Sequence, residues 1–166
     1  MTERTKLFRQ ITLARSNLLA MTILTVVNIA AYFFNSNFSF PFSAYFPYIS
    51  LAFGDIFSRE LMDASIFYWG AAFAIISLTL YFISYFLSKR RQGWLLFAAI
   101  LYFLDLLFMA FIYFPDYDFS ALIDFFFHFW VLYYLVIGVS AAKKLKGLSS
   151  DFASDPIANS ENPLQP

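Results

Sequence analysis

The sequence predicts an all-α integral membrane protein, a four-transmembrane-helix bundle with an aromatic-rich outer interfacial loop, and three observations predict it. Of its 166 residues 61% are hydrophobic and 13% charged, against roughly 45–50% and about 25% in soluble domains. Four apolar stretches reach the about 20 helical residues needed to cross a hydrocarbon core. They run over about 17–34, 66–87, 94–114 and 123–142. Ten of the eleven Lys and Arg lie before the first stretch, between the second and third, or after the fourth, with only Arg59 elsewhere. An even number of crossings leaves those three segments on one face, and basic residues mark the cytoplasmic face. The expected location is the cell membrane, multi-pass, with N- and C-termini cytoplasmic.

The basic start, Arg4, Lys6, Arg9 and Arg15, precedes an apolar run that ends in Tyr32, Phe33 and Phe34 rather than in a small-residue cleavage site. It reads as a retained signal anchor and first span. Along this helix Asn17, Met21, Thr25, Asn28 and Tyr32 fall within one arc at 100° per residue. Polar groups at that depth must find partners inside the bundle.

The connection from Asn35 to Ser65 carries eight aromatic rings, with Pro41 and Pro47 denying one continuous helix. It is expected to lie along the outer interface, with a short helix around Ala44 to Phe53. A re-entrant course is the alternative, permitted only where protein or water covers the backbone. Asn37-Phe38-Ser39 matches a glycosylation sequon, a triplet frequent by chance.

On the second span Gly70, Ala74, Ser77, Tyr81, Ser84 and Ser88 form a narrow stripe while Phe73, Ile75, Ile76 and Phe82 point elsewhere. Small residues of this spacing mark close helix approach in lipid. The turn from Ser88 to Gly93 makes the second and third spans antiparallel neighbours. The third ends at Pro115, and Asp116 to Ser120 form an outer turn. On the fourth, Tyr134, Gly138, Ala141 and Ala142 offer a further small-residue face. Residues 1–146 thus form one transmembrane domain. Residues 147–166, rich in Ser, Asn, Asp and Pro, are expected to be a disordered cytoplasmic tail.

Asp105 is the sharpest candidate for chemistry, an acid in mid-span among Leu104, Leu106 and Leu107, where Asp costs about 2.5–3.5 kcal/mol on insertion scales. Left unpaired there, it is expected to keep its proton. Tyr102 shares its face, and a count from the outer helix ends brings Tyr133 or Tyr134 to the same depth, so a carboxyl–phenol hydrogen bond is expected. The acid either stitches two helices together or forms a proton or cation site. His128, the single histidine, follows Asp124 by one helical turn, so the two can touch. Asn28 reaches a comparable depth. The His–Asp couple reads as a helix-start cap or as an outer pH sensor.

Cofactors are not expected. Without Cys, thiolate catalysis and Cys-ligated metals are excluded, and one His rules out bis-His haem. No nucleophile elbow, Walker loop or zinc-protease motif occurs. The basic residues follow topology, so no nucleic acid partner is expected. Membrane lipids are, with either a second copy or another membrane protein.

Leu13-Ala14-Arg15-Ser16-Asn17-Leu18-Leu19, then Asn28, then Phe40-Pro41-Phe42-Ser43-Ala44-Tyr45-Phe46-Pro47-Tyr48 resemble uncharacterised small four-helix multi-pass membrane proteins of low-GC Gram-positive bacteria. The likeness is clearest from Leu13 to Tyr48. It implies a bacterial plasma-membrane location and a four-helix layout, and carries no activity, ligand or site residue with it.

The expected function is therefore a non-enzymatic interaction or accessory subunit of a membrane complex. The alternative is a small oligomeric transporter or channel-like protein with Asp105 as its proton or cation site. An enzyme acting on lipid or peptide at the outer interface stands third, for want of a catalytic constellation.

Overall fold

The computed structural model describes residues 2–36, 40–113 and 119–154, the side chains of 120 and 149–154 excepted. Five helices follow in order: α1 (Glu3–Phe33), α2 (Tyr45–Glu60), α3 (Ala64–Leu87), α4 (Gly93–Tyr113) and α5 (Phe119–Ser154). Among the described residues there is no strand. All but α2 contain a stretch long and apolar enough to cross a membrane.

Helix α1 starts well before the expected span, because the Thr2 side chain accepts from the Thr5 N–H and so satisfies an orphan donor of the first turn. At ~1.5 Å per residue its 31 residues exceed a hydrocarbon core of about 30 Å, so the excess carries Arg4, Lys6 and Arg9. It stops at Asn35, whose φ of 51° is the left-handed conformation Asn tolerates best after glycine. Ser36 N–H then closes on Ala31 and Asn35 N–H on Tyr32. Helix α2 ends the same way, with Met62 at φ 53° and Asp63 N–H on Ser58. Asp63 next caps α3 by accepting the Ser65 N–H.

Two pairings dominate the packing, α1 on α5 and α2 on α3. Leu7 near the start of α1 lies against Ala141 and Leu145 of α5, so the start of α1 and the latter part of α5 lie at one end of the bundle. The α3 stripe faces inward as its spacing predicts: Gly70, Ala74, Ser77, Tyr81, Ser84 and Ser88 are buried, while Phe73, Ile75 and Ile76 face outward. A Cβ on Gly70 would stand 2.5 Å from the Ser50 carbonyl oxygen and 2.8 Å from Gly54 Cα. Only glycine lets α2 and α3 approach this closely. Gly138 plays the same part on α5, against Ala14 of α1.

Two expectations need correction. The connection after α1 does not lie along the outer surface. It folds into the bundle, and α2 begins beside Asp105, midway along α4, before running back outward against α3. Several of its aromatic rings, half-buried, pack against the spans: Phe42 on Phe127, Phe46 on Phe108 and Tyr48 on Tyr32. Helix α5 also continues past Gly147, to Ser154. Leu148 packs with Ile11 against the cluster of Leu7, Ala141 and Leu145, an apolar contact that a disordered tail would lack. The sequon at 37–39, the turn at 115–118 and the tail from 155 lie outside the described residues.

Candidate functional site

The polar arc of α1 finds its partners in the inserted segment. Asn28 Nδ2 donates to the Phe40 carbonyl at 2.9 Å and to Ser43 Oγ at 2.8 Å, and Asn28 Oδ1 accepts the Phe40 N–H at 2.7 Å. One turn inward, Thr25 Oγ1 accepts the Ala44 N–H at 2.8 Å. One turn outward, the Tyr32 hydroxyl donates to Asp55 of α2 at 2.6 Å. Non-helical backbone at membrane depth survives only where protein satisfies it. Here α1 supplies that cover.

Asp105 completes the arrangement. Its Oδ2 accepts the Tyr45 N–H at 2.9 Å and its Oδ1 the Phe46 N–H at 2.6 Å. These are the first two N–H groups of α2, and the third position is Pro47, which has none. Ala44 provides no side-chain cap of its own. A carboxyl on α4 therefore caps α2 across about 60 residues of sequence, at the positive end of its dipole. Sequence spacing leaves no trace of this contact because both partners are backbone amides. The one local signal is Pro47, a residue favoured in the first turn of a helix.

The carboxyl expected to be unpaired thus accepts two N–H groups, and the expected phenol partner from α5 does not face it. Tyr133 lies on the outside of α5, 61% exposed, and Tyr134 beside it packs on Trp130. Helix α5 begins at Phe119, four residues before the expected start at Ile123. At ~1.5 Å per residue that shift of about 6 Å brings His128 rather than Tyr133 level with Asp105.

His128 is 2% exposed. Its Nδ1 lies 2.8 Å from the Asp124 backbone carbonyl. A carbonyl only accepts, so Nδ1 carries a hydrogen. Its Nε2 then faces Asp105 Oδ2 at 3.4 Å, without an aligned hydrogen bond. The Asp124 carboxylate, expected to touch the imidazole, instead accepts from the Tyr113 hydroxyl at 3.1 Å. Tyr102 stacks flat on the imidazole, 5.3 Å between centroids and 7° between planes. Tyr102 is fully buried, and its hydroxyl has no hydrogen-bond partner among the described residues.

Two cavities flank the pair. A cleft of about 300 Å³ between α2, α3 and α4 is lined by Phe46, Ser77, Tyr81, Leu101 and Phe108, with Asp105 as its single charged lining group. A smaller cavity of about 70 Å³ lies among Asn28, Ser43, Tyr48, Tyr113, Asp124 and His128, with polar lining and room for more than one water. No group of three or more His, Asp or Glu that could hold a metal occurs among the described residues. Asp105, Tyr102, His128, Asp124 and Asn28 are thus brought to one centre, while Tyr133 and Tyr134 are not. No protein-family model, curated protein or solved structure matches the chain.

Proposed function

We propose that this chain is a non-enzymatic subunit of a membrane complex, threaded four times through a bacterial plasma membrane with both termini in the cytoplasm. The orientation rests on charge: the end that carries the start of α1, the latter part of α5 and the α3–α4 turn also holds ten of the eleven Lys and Arg. The observation that carries the subunit reading is an aromatic strip on the outside of α5. Phe126, Trp130 and Tyr133, each 45–61% exposed, follow at helical spacing near the middle of its apolar stretch, and Tyr134 packs on both Trp130 and Tyr133. Indole and phenol groups prefer the membrane edge, where their polar atoms meet water. Presented at mid-depth, they suit a neighbouring helix that accepts their hydrogen bonds. In the interior, by contrast, Thr25, Asn28 and Asp105 are already engaged in holding α2 and the segment before it.

A photo-crosslinking residue at Tyr133 tests this in native membranes. A single discrete adduct is expected, its mass separating a second 19.2 kDa copy from a different protein, and Trp130→Leu should abolish it without lowering the melting temperature. A smear of lipid adducts alone would sink the reading. Protease protection of terminal tags tests the orientation.

A second reading, a small proton or cation carrier, is favoured by the buried Asp105–His128 pair, 3.4 Å apart, beside the smaller cavity. It requires pH-gradient-driven flux in proteoliposomes that Asp105→Asn eliminates. The subunit reading expects none from the wild-type chain.

A further inference from the structure

At the end of the bundle where α1 starts, cations from three separate stretches line one hollow of about 530 Å³. Arg4 comes from the first turn of α1, Arg90 and Arg91 from the α3–α4 turn, and Lys146 from α5. Gln92, Gly93 and Leu145 complete the described lining, and no carboxylate is among these described residues. The preference for basic residues on the cytoplasmic side concerns their number in each segment. It does not require them to converge, and Lys143 and Lys144 of the same end stand outside the hollow. Leaving Lys146 aside, Arg4, Arg90 and Arg91 alone gather like charges around a concavity, which repel one another unless an anion joins them.

Further features give that anion a shape. Helix α4 starts at Gly93, so the positive end of its dipole faces the hollow. The space a Gly93 Cβ would occupy is open, with nothing within 4 Å, which lets a ligand approach the backbone. Three of the four cations are arginines, whose planar forks match phosphate oxygens in pairs. Buried Leu145 gives the hollow an apolar floor. Trp94 in the next position of α4 is of the type found at headgroup level.

We infer that this hollow binds a phosphate-bearing anion, and that its source is the headgroup of an anionic phospholipid in the adjoining leaflet. Basic pockets between membrane helices take such headgroups. The inference requires the four spans but is independent of the subunit reading.

The full-length protein in neutral detergent, given phosphatidylglycerol or phosphatidylcholine, reports retained lipid by native mass spectrometry. Wild type should keep one phosphatidylglycerol at least about tenfold more strongly than phosphatidylcholine. Arg4→Gln with Arg90→Gln and Arg91→Gln should erase that preference. A control with equal charge loss outside the hollow, Arg9→Gln with Lys143→Gln and Lys144→Gln, should preserve it. Should the first triple variant fail to fold, Arg90→Lys with Arg91→Lys keeps charge and topology, and should lower retention severalfold by losing the forks. Equal loss in both triple variants, an unaffected lysine variant, or no lipid preference in wild type would overturn the site. Inorganic phosphate, titrated without lipid, separates the sources: millimolar phosphate that binds as tightly as the lipid overturns the headgroup assignment.

Discussion

The two ends of α1 are attached to the bundle by different physics. Toward the start of α1 it meets α5 through Leu7 and Ala14 against Gly138, Ala141 and Leu145, by apolar and small-residue packing. Toward the other end it meets the inserted segment through Thr25, Asn28 and Tyr32, each of them hydrogen-bonded. A regular helix satisfies its own backbone, so helix-on-helix contact in lipid asks only for shape. Irregular backbone at the same depth asks for donors and acceptors. One helix serves both needs because the buried face of its first half, Leu7, Ala14 and Leu18, is small or aliphatic and its second half carries the polar arc.

Steric substitutions break the comparison most severely. Gly70→Leu should cost about 3 kcal/mol or more by overpacking, since the atoms it meets are the Ser50 carbonyl and Gly54 Cα, which no side-chain change can move. Gly138→Ala should also destabilise, because its Cβ collides with Ala14 Cβ and sits 3.0 Å from Leu95 Cδ2. There, however, Ala14→Gly in the same chain should restore most of the loss. Thermal melts in detergent distinguish them: rescue at Gly138, and no single-residue rescue at Gly70. Phe73→Leu, on the exposed face of α3, should be nearly silent.

The next largest effect belongs to Asp105. Asp105→Ala strands the Tyr45 and Phe46 N–H groups in the interior and should cost about 3 kcal/mol, taking about 1–3 kcal/mol for each buried donor left unsatisfied. Asp105→Asn should cost less, because an amide oxygen keeps one N–H while its NH₂ faces the other. The same variants should expose a Ser43→Cys thiol to a membrane-permeant reagent in the order Ala, then Asn, then wild type. Asn28→Leu removes three hydrogen bonds from the same segment and should cost about 2 kcal/mol. Unchanged Ser43→Cys protection in Asp105→Ala would mean that the aromatic packing alone holds α2 in place.

These contrasts also explain what the sequence made legible. The spans and the inward α3 stripe from Gly70 to Ser88 could be read because hydropathy and a 100° repeat are local signals that tertiary context seldom reverses. The polar arc of α1 announced a need for partners but not their identity, since those partners are mostly backbone atoms of 40–44. The inward course of α2 depended on Asp105, whose neighbours in the chain are all leucines and give no hint of a helix terminus. The misplacement of Tyr133 followed from a four-residue error at the start of α5, where Phe119 and Ser120 looked like the end of a turn and the span was expected only from about Ile123. A depth comparison between helices inherits every error in their ends.

The smallest expected effect lies at the outer end of α2, where water rather than lipid surrounds the contact. Asp55 accepts from the Tyr32 hydroxyl and pairs with Arg59 at 2.8 Å. The Tyr32 bond first, and Arg59 after it, hold the Asp55 carboxyl below its ordinary 3.8, partly against the effect of burial. A carboxyl lowered in the folded state stabilises the fold above its unfolded value and loses that contribution as pH falls through the folded one. Stability from this tie should therefore be flat from neutrality down to about pH 5, and decline progressively below it, through the ordinary 3.8 and on toward the lowered folded value. Because Arg59 is largely exposed, the decline should amount to under about 1 kcal/mol. Tyr32→Phe should remove the larger share of it, and high salt the Arg59 share alone. If Tyr32→Phe left the acid limb of a melting-temperature profile unchanged while Arg59→Gln flattened it, the outer end would be tied by charge at the surface and not by the arc that α1 extends from the interior.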